Sequence, residues 1–80
     1  MSAIEKYNAA FMNTFGIDEG QLQGLKYQDI KTWDSIGHMQ LMTNLEESFD
    51  IELDIDDITD FSGYEKGMLI LEKYSVSLNT

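Results

Sequence analysis

Residues 34–49, DSIGHMQLMTNLEESF, form the stretch that decides the fold. With successive residues placed about 100° apart, its large apolar side chains fall on one helical face; they are Leu41, Met42, Leu45 and Phe49. The opposite side, which we expect to face solvent, carries Ile36, Gln40, Thr43 and Glu47. Asp34 and Ser35 are both good N-cap residues, and the sequence leaves open which of them takes that position. The pattern therefore predicts an amphipathic helix that begins at Asp34–Ser35.

The segment before this stretch divides into a helix and a long loop. Ser2 followed by Glu5 forms a capping box, and Gly16 stands where a helix C-terminal glycine is expected. The apolar residues between them repeat at helical spacing; they are Ile4, Tyr7, Phe11 and Phe15. Residues 17–33 contain glycines and scattered apolar residues without sustained periodicity. They predict a long loop that its apolar side chains hold to the core, with room for short helical turns.

Polar and apolar residues alternate over residues 50–58, which follow the central stretch. A lone strand is not stable, and this chain offers no second strand to pair with it. We therefore interpret the alternation as an extended connector followed by a short helix over roughly residues 56–61.

The last predicted helix runs from Ser62 or Gly63 to Val76. Its buried stripe is expected to consist of Tyr64, Met68, Leu71 and Tyr74. The tail, residues 77–80, is expected to be frayed. Together the elements predict an all-α fold, a small four-helix bundle that spans residues 1–80 as a single domain. It has a long loop between the first two helices and a short third helix.

The composition limits the chemistry open to the chain. Fifteen acidic residues against five basic ones give a net charge of −10. This charge repels nucleic-acid phosphates and anionic lipid, and it favours basic patches on protein partners. There is no cysteine, so no disulfide holds the fold and no thiolate site exists. No apolar run could span a bilayer and no secretory signal is present, so we expect a free-standing cytoplasmic monomer.

Candidate catalytic and metal-binding residues are few. The single histidine, His38, cannot form a zinc site without cysteine. Asp34, Ser35 and His38 stand one and three residues apart, a spacing that gives them no reason to converge as a catalytic triad. The acidic run over residues 50–60 lacks the glycine that an EF-hand calcium loop needs at its sixth position. We therefore predict no catalytic residue, no metal site and no enzymatic activity.

Ser35 occupies the most informative position in the chain. A serine at a helix N-terminus has an exposed hydroxyl, and the positive end of the helix dipole favours a nearby phosphate. The alternative is that Asp34 and Ser35 only cap the helix, which is the commoner role of such residues. The dipeptide alone favours the capping role, and the surrounding sequence is what favours the other.

The residues around Ser35 resemble the acyl and peptidyl carrier protein family. In that family Asp-Ser-Leu or Asp-Ser-Ile opens an amphipathic helix that closes with Leu-Glu-x-x-Phe. Asp34-Ser35-Ile36 and the segment from Leu45 to Phe49 match this pattern, and the resemblance covers essentially the whole chain. It implies that a phosphopantetheinyl transferase attaches 4'-phosphopantetheine covalently to Ser35 from coenzyme A. Acyl or aminoacyl groups are then carried as thioesters on the thiol of this arm.

The resemblance also implies a partner surface and a space for cargo. The transferase, and acyl-transferring or acyl-activating enzymes with basic patches, are expected to contact Ile36, Gln40, Glu46 and Glu47. An acyl chain can fold between the helices of family members; the candidate lining residues here are Met39, Met42, Leu45, Phe49, Ile51, Leu53, Ile58, Phe61, Met68 and Leu71.

Two positions leave the pathway open between fatty acid, lipid and specialised-metabolite biosynthesis. Gly37 and Gln40 stand where carriers of fatty acid synthases commonly have acidic residues. The alternative to a carrier is a small acidic protein-interaction module, or a weak calcium-binding module, without a prosthetic group.

Overall fold

Four α-helices make up most of the chain in the computed structural model, which describes residues 2–78. The helices are α1 (Ala3–Phe15), α2 (Ser35–Phe49), α3 (Ile55–Asp60) and α4 (Tyr64–Glu72). A short 3₁₀ turn, Glu19–Gln21, lies in the loop between α1 and α2, and residues 2–78 contain no β-strand. No helix in this part of the chain is long and apolar enough to cross a membrane. The predicted all-α class is confirmed.

α1 begins and ends at the capping residues that the sequence indicated. Ser2 Oγ accepts a hydrogen bond from the Glu5 N–H at 3.3 Å, and Glu5 Oε1 accepts one from the Ser2 N–H at 3.1 Å. The bond from the Ser2 backbone favours the charged carboxylate and lowers the pKa of Glu5. Gly16 ends the helix with a φ of 67°, and its N–H bonds the Met12 carbonyl at 2.8 Å. This left-handed conformation favours glycine.

An aromatic cluster forms the core beside α1. The Phe11 ring lies at its centre, with ring centroids 5.5 Å from Trp33 and 5.3 Å from Tyr64. Tyr7 donates its hydroxyl hydrogen to the Tyr64 carbonyl oxygen at 2.6 Å. Burial raises the pKa of Tyr7 far above its ordinary value, so the hydroxyl stays a donor. The other large side chains with almost no exposure are Leu22, Leu41, Met42, Leu45, Phe61 and Leu71.

The long loop is tied to the linker between α3 and α4. The Leu25 carbonyl accepts the Tyr64 N–H at 2.8 Å, and the Tyr27 N–H donates to the Ser62 carbonyl at 2.9 Å. Leu22 and Leu25 are both buried. As predicted, apolar side chains hold this loop to the core, and backbone bonds to the α3–α4 linker fix its path.

The connector after α2 is extended, as expected, and α3 begins one residue earlier than predicted. Asp50 ends α2 in a left-handed conformation with a φ of 53°. Glu46 Oε2 then accepts the Leu53 N–H at 2.8 Å. This bond holds the connector against α2 and keeps Leu53 buried in the core.

The C-terminal segment differs from the prediction at two points. α4 ends at Glu72 rather than Val76, because the chain turns tightly over the next residues and Ser75 takes a φ of 65°. Leu78 was expected to lie in a frayed tail, but it is buried in the core; residues 79–80 lie outside the described part. The buried residues of α4 are Tyr64, Gly67, Ile70 and Leu71, whereas Met68 and Tyr74 are half-buried.

Hydrogen bonds and an ion pair connect α3 and its N-cap to the tight turn that follows α4. The Tyr74 hydroxyl donates to Asp57 Oδ2 at 2.5 Å and accepts the Asp54 N–H at 2.9 Å. The Lys73 ammonium pairs with Asp57 Oδ1. The carboxylate of Asp57, which is buried, is therefore fully engaged by two residues of the C-terminal turn.

Candidate functional site

Ser35 is the first residue of α2, and Asp34 before it is the N-cap. Asp34 Oδ1 accepts the Gly37 N–H at 2.8 Å, and the Asp34 carbonyl accepts the His38 N–H at 2.7 Å. The cap position that the sequence left open therefore belongs to Asp34. The Ser35 side chain is exposed, and its hydroxyl makes no hydrogen bond with any residue of 2–78.

Backbone donors lie next to the Ser35 hydroxyl. The first N–H groups of an α-helix have no acceptor within the helix. Asp34 satisfies the N–H of Gly37, which leaves those of Ser35 and Ile36 without an intrahelical acceptor. The N-terminus of α2 also carries the positive end of the helix dipole. An anionic oxygen attached near Ser35 would find both donors and a favourable potential.

The turn that carries Ser35 is held by a hydrogen-bonded pair of rings. The indole N–H of the buried Trp33 donates to Nδ1 of His38 at 2.9 Å, and the two ring planes lie within 15° of parallel. Nε2 of His38 lies 2.7 Å from the Ile58 carbonyl oxygen in α3. Because an indole N–H can only donate and a carbonyl can only accept, His38 carries its proton on Nε2. These bonds join the loop, α2 and α3.

Gly37 allows the loop to approach the first turn of α2. A Cβ at this buried position would lie 1.9 Å from the Thr32 carbonyl oxygen and 3.3 Å from Cε1 of Phe15. The Thr32 hydroxyl also donates to the Phe15 carbonyl at 3.1 Å. The position therefore faces the interior, and the lack of an acidic side chain there follows from packing.

The expected partner residues divide between the surface and the interior. Ile36 is 71% exposed, and Gln40 and Glu47 are exposed on the same side of α2. Glu46 is half-buried instead, and its carboxylate accepts the N–H of Leu53. Glu46 lies about 80° around the helix from Ile36, and the expectation that it contacts partner enzymes stays a prediction. Glu46 serves the contact between α2 and the connector.

Two apolar recesses lie along α2, and Ser35 lines the first of them. The first runs along α2 and is lined by Ser35, Ile36, Met39, Gln40, Thr43 and Asn44. The second has a volume of about 350 Å³ and lies between α2 and α3, with Tyr27, His38, Met39 and Ile55 among its lining residues. Met39 lines both recesses. α2 has no charged residue from Ser35 to Leu45, so this surface is uncharged although the chain is strongly acidic.

The residues proposed to line an acyl chain fall into three groups by burial. Those that are buried are Met42, Leu45, Leu53, Phe61 and Leu71. Those that are half-buried are Phe49, Ile51, Ile58 and Met68. Met39 is 49% exposed and lies at the surface recesses.

One carboxylate of the acidic run over residues 50–60 has a structural role. Asp57 is buried and bonds Lys73 and Tyr74. Within residues 2–78, no group of three or more histidine, aspartate or glutamate side chains is placed to hold a metal ion.

Comparisons of this chain with protein-family models, with curated proteins and with solved structures found no match. The resemblance to carrier proteins therefore rests on the sequence alone.

Proposed function

We propose that this protein is an acyl or aminoacyl carrier of the four-helix acyl-carrier type, with 4'-phosphopantetheine attached to Ser35. One observation carries the proposal: the Ser35 hydroxyl is exposed and has no hydrogen-bond partner within residues 2–78. A helix N-terminus needs one capping side chain, and Asp34 already fills that role. Ser35 is therefore not the capping residue, which leaves its hydroxyl available for modification.

The residues around Ser35 fit a phosphate ester and a long uncharged arm. The N–H groups of Ser35 and Ile36 and the dipole of α2 favour an anion at this point. The carboxylate of Asp34 is bonded to the Gly37 N–H. Beside the hydroxyl, the recess lined by Ile36 and Met39 offers an apolar surface without charge.

Attachment exchanges a pyrophosphate bond of coenzyme A for a phosphate ester of the protein. Ser35 Oγ forms the bond to the phosphorus nearer the pantetheine end, and the P–O bond from that phosphorus to the bridging oxygen breaks. Adenosine 3',5'-bisphosphate leaves with the bridging oxygen, and the hydroxyl proton passes to the transferase. The attached group supplies a thiol for thioester formation, which this cysteine-free chain lacks. The protein's own residues present the serine and the surface beside it, and they do not act on the acyl bond.

A carrier gains from this arrangement because one tethered cargo can visit several enzymes without release. Tethering replaces diffusion by a high effective concentration. Ile36, Gln40 and Glu47 form the exposed side of α2 that partner enzymes would contact, while the net charge of −10 favours partners with basic patches. We assign the protein to the cytoplasm and to fatty acid, lipid or specialised-metabolite biosynthesis.

Intact mass measurement tests the proposal. The purified protein is incubated with coenzyme A, magnesium and a broad-specificity phosphopantetheinyl transferase, next to Ser35→Ala and Ser48→Ala. Ser48 is an exposed serine near the other end of the same helix, so it serves as the matched control. We expect one phosphopantetheinyl group on the wild type and on Ser48→Ala, and none on Ser35→Ala. A folded wild type that several transferases leave unmodified would overturn the proposal and favour the protein-interaction module.

A further inference from the structure

The only histidine of the chain joins the segments on both sides of Ser35. Trp33 stands two residues before Ser35 and His38 three residues after it, and the hydrogen bond between their rings spans the serine. Around the His38 ring lie Tyr27 and Phe61, both in edge contact at centroid distances of 5.5 and 6.1 Å. A half-buried histidine with both nitrogens bonded has one tautomer and one orientation.

The Trp33 ring is itself fixed in the core. It is fully buried and stacks on Phe15 at a centroid distance of 5.1 Å, with Phe11 in edge contact at 5.5 Å. The bond from Trp33 therefore ties the first turn of α2 to a rigid part of α1. The bond to Ile58 ties the same turn to α3, which has only six residues and is too short to be stable alone.

We propose that His38, as the neutral Nε2–H tautomer, is a positioning residue for Ser35, an inference that rests on the proposed carrier function. The cap formed by Asp34 starts the helix, but it does not connect that helix to the core. Accepting the Trp33 N–H fixes the turn that presents the serine hydroxyl. Donating to Ile58 fixes α3 beside it, on the far side of the recess between α2 and α3.

Two variants of His38 with neutral amide side chains each keep one of its two hydrogen bonds and lose the other. The amide of asparagine reaches about as far as Nδ1, so His38→Asn keeps an acceptor for Trp33 and loses the donor to Ile58. The amide of glutamine reaches about as far as Nε2, so His38→Gln keeps the donor to Ile58 and loses the acceptor. Trp33→Phe removes the indole donor and keeps an aromatic ring in the core.

The test compares kcat/KM for phosphopantetheine transfer among these variants, at a temperature at which circular dichroism shows each of them folded. We expect His38→Gln and Trp33→Phe to be slower by about tenfold, because the serine turn loses its tie to the core. His38→Asn should recover most of the wild-type rate. Ser48→Ala, on the same helix but outside the site, is the unaffected control. A role in stability alone would instead make the rates follow the melting temperatures.

Nitrogen-15 NMR of the His38 ring and hydrogen exchange of the Trp33 indole give a readout that is independent of transfer. We expect a proton on Nε2, and an indole N–H that is protected in the wild type and His38→Asn but exchanges faster in His38→Gln. A proton on Nδ1, or equal rates in all variants, would overturn the role of His38 while the wild type is still modified. A wild type that is never modified would overturn the carrier function and this role with it.

Discussion

The carbonyl oxygen of Thr32 lies against the α-carbon of Gly37, at a point where even a methyl group has no room. A Cβ built on Gly37 would come within 1.9 Å of that oxygen. The loop before the serine and the first turn of α2 are thus in direct backbone contact. The sequence alone indicated only that Gly37 stands where carriers of fatty acid synthases commonly have an acidic residue.

Gly37→Ala is expected to destabilise the fold. Helix propensity favours alanine over glycine by about 1 kcal/mol, but overpacking against a backbone atom costs about 1–3 kcal/mol or more, since the loop itself must shift. We therefore expect a net loss in the free energy of unfolding, measured by urea denaturation. Gly20→Ala is the control, because a Cβ there meets nothing within 4 Å. Equal stability of the two variants would contradict the close approach.

Gly67→Ala should also lower stability, through side chains rather than backbone. A Cβ on Gly67 would lie 2.1 Å from Cζ of Phe61 and 2.3 Å from the Tyr7 hydroxyl. Both rings are fully buried and have little freedom to move, so the overpacking cost of about 1–3 kcal/mol exceeds the gain in helix propensity.

A double-mutant cycle of Gly67→Ala with Tyr7→Phe tests whether the loss of stability comes from the clash with the Tyr7 hydroxyl. Removing the hydroxyl relieves one of the clashes, so Gly67→Ala should cost less in the Tyr7→Phe background than in the wild type. Strictly additive effects would show that the alanine methyl is accommodated elsewhere.

Asp57 should make the free energy of unfolding depend on pH under acidic conditions. The hydrogen bonds from Lys73 and then Tyr74 favour the charged carboxylate and hold the pKa of Asp57 below its ordinary value. Its contribution is therefore present above the unfolded-state pKa of about 3.9 and is lost as the pH falls through the folded-state pKa. The same bond to Asp57 raises the pKa of Lys73, whose contribution is lost only at strongly alkaline pH.

The measurement is the free energy of unfolding of the wild type and of Asp57→Asn against pH. We expect the variant to be less stable at neutral pH, with a difference that shrinks below about pH 4. Asp56→Asn replaces the exposed neighbouring carboxylate and serves as the control. A difference between wild type and Asp57→Asn that stays constant down to acid pH would contradict the assignment.

Ile36→Ser is expected to affect partner enzymes and spare the fold. The side chain is 71% exposed, so its replacement should change the free energy of unfolding by no more than about 0.5 kcal/mol. If enzymes dock beside Ser35, losing this apolar contact should lower kcat/KM of the transferase by about tenfold, or about 1.4 kcal/mol. Leu69→Ser removes another exposed apolar side chain, 60% exposed on α4, and should leave transfer unchanged. Equal effects of the two variants would argue against a docking surface at Ile36.

Elements governed by local signals were predictable from the sequence. The Ser2–Glu5 capping box and Gly16 bounded α1 correctly, because caps act within one turn of the helix. The apolar face of α2 was also predicted, since helical spacing alone determines which residues share a side. The exposure of Ser35 was predicted from its place at the N-terminus of the helix, not from the periodicity.

Contacts between distant residues were not predictable in this way. In the turn after α4, the Tyr74 hydroxyl bonds Asp57, seventeen residues earlier. Leu78 is buried because the turn after α4 leads the chain back to the core, which no local pattern announces. The acceptor for His38 Nε2 is the backbone carbonyl of Ile58, twenty residues later, and any residue type supplies such a carbonyl.

Trp33 can serve as an intrinsic fluorescent probe of this protein. It is the only tryptophan in the chain, it stands two residues before Ser35, and its indole N–H bonds His38. Fluorescence that is excited at the long-wavelength end of the protein absorption spectrum therefore comes from Trp33 alone, next to the turn that carries Ser35. Fluorescence of the unlabelled protein therefore reports on that turn throughout the modification assay proposed for Ser35.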